Sequence, residues 1–268
     1  MGEEPVLLTH RDGGALTLTL NRPHRRNAID GELWEALRAA FVDARHDASV
    51  RAVVLAGAPG AFCAGADLGS QPDGHPLVTM HRVNEVALAL HELSVPTVAK
   101  VDGVAVGAGW NLALGCDLVV ATPQARFSQI FARRGLSLDF GGSWLLPRLV
   151  GMQQAKRLAL LAEMVSAEEA RDLGLVTWLV GADEVDAFVD DLAARLAAGP
   201  PIALAETKAL LESGSSSTMR EALTAEARAQ TINRGTDAPA ALRAFVDRVE
   251  PEFTGTWVVD GTNARRDP

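Results

Sequence analysis

The sequence predicts an α/β fold, and three observations carry that reading. Strand-like apolar runs recur near residues 16, 53, 99 and 119, with helical stretches between the first three, an alternation that favours strands and helices packed in layers. Two stretches of small residues, Ala61-Phe62-Cys63-Ala64-Gly65-Ala66-Asp67 and Gly103-Val104-Ala105-Val106-Gly107-Ala108-Gly109, each follow such a run and lead towards helical sequence. At 268 residues, 48% hydrophobic and 22% charged, the chain suits one soluble globular domain with room for an appended segment.

Each element follows from its local pattern. Ala15–Leu20 alternates Thr with Leu and reads as a strand ending at the turn Asn21-Arg22-Pro23. Asp30 is placed to cap an amphipathic helix running to about Arg45, with Leu33, Leu37 and Phe41 four residues apart. Residues 51–56 are apolar enough for a buried strand that feeds Gly57 and the first small-residue stretch. Residues 69–78 predict a loop and 79–93 a helix. The next strand lies within 96–106, a helix follows over about 109–115, and 118–127 is extended; from Gly142 onward the sequence turns mostly helical.

Composition narrows the function classes. Thirty-four acidic against 25 basic residues give a net charge of −9, which argues against a general nucleic-acid surface while leaving room for a small anionic ligand. Cys63 and Cys116 are the two cysteines; they lack metal-ligand spacing and fit a cytoplasmic protein without disulfides. Met1-Gly2-Glu3-Glu4-Pro5 is acidic and leads into no long apolar stretch, so no signal peptide is expected. No apolar run approaches the ~18 residues of a membrane span.

Small residues at a strand-to-helix junction let a ligand approach the main chain, and free N–H groups there attract negative charge. Two such donors converging on one oxygen would form an oxyanion hole, which points to chemistry on an activated carbonyl. Three competing readings fail. Gly107-Ala108-Gly109 follows a strand, but Leu112 stands where a dinucleotide fingerprint needs a third small residue. Ser143 lies in Gly-Gly-Ser-Trp-Leu, not in a nucleophile elbow. The six histidines show no His-Glu-x-x-His spacing, so no metal site is expected.

The chain resembles the crotonase superfamily, the enoyl-CoA hydratase/isomerase family. The resemblance is carried by Asn21-Arg22-Pro23 through Asn27-Ala28, Phe62 to Leu68, Pro96 to Asp117, and Gly141-Gly142-Ser143-Trp144-Leu145-Leu146-Pro147-Arg148. Ser166 to Ala170, Gly174-Leu175-Val176 and Phe253-Thr254-Gly255 also fit, so it spans nearly the whole chain. It implies a spiral of ββα turns over residues 1–200 holding an acyl-CoA site, with a helical region over 201–268 for assembly into a homotrimer or a dimer of trimers. Composition and periodicity do not distinguish that spiral from a doubly wound sheet.

The resemblance also implies roles. The amides of Ala66 and Ala108 would hold the thioester oxygen, with Ala64, Asp67, Leu68, Asn111 and Phe131 around the substrate; Asp67 is otherwise placed to cap a helix after the first stretch or to support the nearby main chain, and Asn111 to orient water, to bond the substrate or to pack within its helix. His24, Arg25 and Arg26 would meet the phosphates of coenzyme A, which enters as part of the substrate and not as a separate cofactor. The pattern departs from the family at the two glutamates of typical hydratases, whose places are taken here by Asn111 and Phe131; neither exchanges a proton as a carboxylate does. Asp139, before Phe140-Gly141-Gly142, sits where isomerases of the family carry an acid/base aspartate. Its alternative role is to cap the following helix. Apolar Leu138 and Phe140 would raise its pKa and a helix start would lower it. The expected activity is therefore enoyl-CoA isomerisation through an enolate, with hydration or binding of acyl-CoA without turnover as the alternatives. Glu85 and the aromatic Trp110, Phe131, Phe140 and Trp144 are open to either a pocket or an ordinary surface or core role.

Overall fold

The structure, a computed structural model, describes residues 4–69 and 74–258; residues 70–73 of the expected loop, and Met1, Gly2 and Glu3 at the acidic amino terminus, lie outside the described residues. It divides into two compact units, Met1–Ala194 and Arg195–Pro268.

The first unit is built from two sheets. β1 (Leu7–Asp12) pairs antiparallel with β2 (Ala15–Leu20). β1 has no alternating signal in the sequence because it is an edge strand with five of its six residues exposed. α1 (Gly31–His46) begins where Asp30 Oδ1 accepts the Leu33 amide at 3.0 Å, and it buries Leu33, Leu37 and Phe41. β3 (Ala52–Gly57) follows, then α2 (Pro76–His91). α2 starts three residues earlier than the pattern predicts. Pro76 takes the first helical position, where its missing N–H loses no bond, and His75 accepts the Leu77 amide.

The strand expected at 96–106 is two strands. β4 (Thr97–Val101) and β5 (Val104–Val106) are separated at Asp102-Gly103, where Gly103 takes φ +74° and the chain passes from one sheet to the other. α3 (Ala108–Leu114) is apolar on every side except at Asn111 and is wholly buried. β6 (Leu118–Ala121) and β7 (Arg126–Ser128) repeat the break. α4 (Gly142–Leu161) kinks at Gly151, and β8 (Val165–Ser166), α5 (Ala167–Asp172), β9 (Trp178–Leu179) and α6 (Val185–Ala198) complete the series.

The larger sheet has the order β1-β2-β3-β4-β6-β9, parallel from β2 onward, with Leu18 opposite Leu55, Leu55 opposite Ala99 and Ala99 opposite Val119. The smaller has the order β5-β7-β8. Two parallel bridges, Ile29 to Ala66 and Cys63 to Ala105, extend the same stacking to the first small-residue stretch. Successive turns of chain therefore lie beside one another in both layers, which makes the arrangement a spiral and not a doubly wound sheet. One apolar core holds it, with Leu18, Leu20, Leu37, Phe41, Leu55, Phe62, Trp110 and Phe127 fully buried.

The second unit contains α7 (Pro201–Gly214), α8 (Met219–Arg234) and α9 (Ala238–Asp247). A capping box opens α8: Thr218 Oγ1 accepts the Glu221 amide, and Glu221 returns a bond to the Thr218 amide at 2.8 Å. The Asp237 carboxylate accepts the amides of Thr254 and Gly255, fastening the tail to the start of α9.

Candidate active site

The motif Asn21-Arg22-Pro23 through Asn27-Ala28 is a brace for the first small-residue stretch. Asn27 is fully buried; its side-chain amide donates to the carbonyls of Ala58 at 2.9 Å and Ala61 at 2.8 Å, while its Oδ1 accepts the Arg22 amide. Arg22 joins Asp30 at 2.9 Å and Asp67 at 3.0 Å and donates to the Ala28 carbonyl. Main-chain bonds from Ala64 to Arg26 and from Ile29 to Gly65 complete the hold.

Asp67 supports the nearby main chain and caps no helix. No helix opens directly after this stretch, since α2 begins at Pro76. The carboxylate instead accepts the Gly69 amide at 3.0 Å and pairs with Arg22, and these two contacts hold it below the usual carboxylate range. It lies off the cavity wall, bracing the loop.

The second stretch interlocks with the first. Cys63 donates to the Val104 carbonyl and accepts from the Val106 amide, both at 3.0 Å. A Cβ at Gly109 would stand 2.5 Å from the Cys63 carbonyl oxygen, and one at Gly65 would stand 2.8 Å from that of Val106. Only glycine allows this approach at both positions. The Gly65 Cβ position is 3.7 Å from the Ala108 nitrogen, so the two stretches meet where the expected donors lie. Ala108 begins α3, which leaves its N–H without a partner inside the helix. Among the described residues neither this N–H nor that of Ala66 has an acceptor. Both residues line one cavity of about 390 Å³.

Asp139 lines the same cavity. Its Oδ1 is buried with no hydrogen-bond partner, and burial pushes its pKa up to about 6. Of the two opposing influences read from the sequence, the apolar surroundings prevail. The capping alternative does not hold: α4 begins after Gly141 with no side-chain cap, and it is the main-chain oxygen of Asp139 that accepts the Gly142 amide. The adjoining main chain is unusual, with Phe140 at φ 46° and Gly141 at φ 76°.

Asn111, expected beside the substrate, stands behind the cavity wall. Its Nδ2 donates to the Asp139 carbonyl at 2.9 Å, and its Oδ1 accepts from Gln129 Nε2 at 2.8 Å. Ala64, Leu68, Phe131 and Arg26 line the cavity; His24 and Arg25 are exposed and lie off its wall. The wall also includes Arg134, Leu136 and Met164, which the sequence reading omitted. The pair Arg133-Arg134, ending the turn that carries Phe131, is the signal that could have found Arg134.

Of the aromatic residues, Phe131 faces the cavity, Trp110 packs on Phe127 and Phe140 stacks on Trp34. Trp144 and His91 line a separate cavity of about 300 Å³. Glu85 is exposed on α2. Among the described residues, no three His, Cys, Asp or Glu side chains cluster as metal ligands, and no helix is long and apolar enough to cross a membrane.

Comparison with known proteins identifies the family. The sequence profile described as "Enoyl-CoA hydratase/isomerase" matches residues 10–256. A Rhodobacter capsulatus protein named "Probable enoyl-CoA hydratase" is 40% identical over 246 residues, covering 90% of this chain and 95% of that protein. The 1,2-epoxyphenylacetyl-CoA isomerase of Escherichia coli is 36% identical over 259 residues, covering 93% and 98%. The crystal structure of an enoyl-CoA hydratase from Mycobacterium smegmatis superposes with a TM-score of 0.87 at 36% identity, covering 93% of this chain and 99% of that one. With its spiral, its paired small-residue stretches and this likeness over nearly its full length, the chain belongs to the enoyl-CoA hydratase/isomerase family of the crotonase superfamily.

Proposed function

We propose that the chain shifts the double bond of an enoyl-CoA thioester, with Asp139 moving the proton and the Ala66 and Ala108 amides holding the thioester oxygen. The observation that carries this reading is one carboxylate, buried and unpartnered at Oδ1, on the same cavity wall as two amides without acceptors. Ionised Asp139 takes a proton from C2 of a 3-enoyl thioester. The electrons delocalise into a dienolate whose oxygen charge falls on the two amides. The acid form then returns the proton at C4, leaving the double bond between C2 and C3. A pKa of about 6 suits both directions, because the group is ionised at rest and still an effective acid.

Water addition is less well supported. It calls for a second acid or base, and Asp139 is the one carboxylate among the residues described on the cavity wall. Likeness to an isomerase over almost the whole chain agrees with the preference. Arg26 and Arg134, both exposed at the cavity edge, are suited to coenzyme A phosphates, with His24 and Arg25 nearby in sequence. Coenzyme A enters within the substrate and the proposed chemistry draws on no further cofactor. The reading includes assembly into a homotrimer or a dimer of trimers, supported by apolar side chains exposed on α9.

The test is spectroscopic. Incubation with a 3-enoyl-CoA should generate the absorbance of the conjugated 2-enoyl thioester. Asp139→Asn should lower kcat on the order of 10²–10⁴-fold. Full turnover by that variant would remove Asp139 from the mechanism. Tight binding with no turnover of any enoyl-CoA would favour a binding protein.

A further inference from the structure

We infer that Asn111 is a positioning residue for Asp139, acting with Gln129 as a two-amide clamp on the main chain that aims the carboxylate. The inference rests on the reading that Asp139 moves the proton. Among the described residues no hydrogen bond grips the Asp139 carboxyl, whose Oδ1 is buried and unpartnered. Its aim must therefore come from its own main chain.

That main chain is held in a costly shape. Phe140, at φ 46°, occupies the left-handed region that a side chain disfavours, and Gly141 continues it at φ 76°. Such a segment persists where its surroundings impose it. Phe140 is held by stacking on Trp34 at 5.5 Å. Asn111 holds the other side by donating to the Asp139 carbonyl at 2.9 Å.

The orientation of the clamp follows from donor and acceptor chemistry. Gln129 Nε2 donates to Asn111 Oδ1 at 2.8 Å, which leaves the Asn111 NH₂ to face Asp139. Both amides are fully buried, where water cannot replace a lost bond. The fit is also tight: a Cβ on Gly142 would stand 2.4 Å from Asn111 Nδ2. A glutamate at 111 would press the start of α4 outward and present an acceptor to the Asp139 carbonyl. Asn111, where the family resemblance led to the expectation of a glutamate, here supports a different acid.

Asn111→Ala and Gln129→Met remove the two donors separately. In Asn111→Ala kcat should fall on the order of 10²-fold, as expected for a displaced catalytic group, with KM within about twofold of the parent because the cavity wall is kept. Gln129→Met should act in the same direction more weakly, roughly 10-fold, since it loosens the clamp at one remove. Asn111→Glu should lower activity and gain no hydratase activity. A purely structural role predicts normal kcat per folded molecule.

Titration distinguishes the two roles without relying on turnover. The carboxyl ¹³C signal of Asp139, assigned by its loss in Asp139→Asn, should titrate at lower pH in both variants as the loosened segment admits water. The other charged side chains on the cavity wall, Arg26 and Arg134, are unchanged in each. An unmoved titration and an unchanged kcat in either folded variant would overturn the assignment, and Gln129→Met keeps the test open should Asn111→Ala fail to fold. Full turnover by Asp139→Asn would overturn the functional reading instead; loss there with normal Asn111 and Gln129 variants would overturn the clamp alone.

Discussion

At the scale of single residues, the same burial that makes Asp139 a useful acid makes it a burden on the fold. Its pKa in the folded chain, about 6, stands above the ~3.9 of a free aspartate. Between those values the folded state holds a proton that the unfolded state has released. Stability therefore falls as pH rises through that window, by up to about 3 kcal/mol in all. Asp139→Asn removes the dependence. Urea melts should find the variant more stable than the parent at about pH 7.5, with the gain vanishing near pH 4; a gain of equal size at both would contradict the assignment. Asn27 carries the opposite balance. It satisfies two buried carbonyls and sits at φ 55°, a conformation asparagine tolerates better than most residues. Asn27→Ala leaves both carbonyls unpaired and should cost about 2–4 kcal/mol in denaturant melts.

At the scale of elements, the site depends on how closely adjacent turns of the spiral approach. Gly109 in α3 lies against the Cys63 carbonyl with no space for a methyl group. Gly109→Ala should force the two stretches apart and separate the Ala66 and Ala108 amides. Turnover should fall by about 10²-fold or more, the loss expected when an oxyanion donor is displaced. The amide of Val106, bonded to the Cys63 carbonyl, should exchange hydrogen faster; unchanged exchange and turnover would show that the clash is absorbed elsewhere. The glycines were legible in the sequence because close approach admits no other residue. α1 was legible because Asp30 and the spacing of Leu33, Leu37 and Phe41 state both its start and its buried face. β1 was not, since an exposed edge strand needs no apolar alternation. The breaks after Val101 and Ala121 carry turn residues, Asp102-Gly103 and Thr122-Pro123, but the change of sheet was hidden because the strands on either side are apolar in both layers. Asn111 and Gln129 were illegible as a pair: their partnership exists only where α3, β7 and the 139–142 segment converge.

At the scale of the whole molecule, apolar side chains stand exposed on and beside α9. Leu242, Phe245 and Val246 in α9 are 67%, 82% and 77% exposed, and Val249 just beyond it is 61% exposed. The spacing of Leu242, Phe245 and Val246 places those three along one stripe of α9. Contiguous apolar surface of this kind marks an interaction site, and the proposed occupant is another copy of this chain. Charge sets the expected salt response. Each copy carries a net charge of −9, so copies repel one another beyond the contact, and added salt screens that repulsion without weakening apolar burial. Light scattering should give the mass of three or six chains at micromolar concentration, undiminished at high salt. A Phe245→Glu, Val246→Glu double variant places like charges within the contact and should shift the mass towards one chain while the helical circular dichroism is retained. A monomeric parent would remove the assembly proposal, and an unshifted double variant would move the contact away from α9.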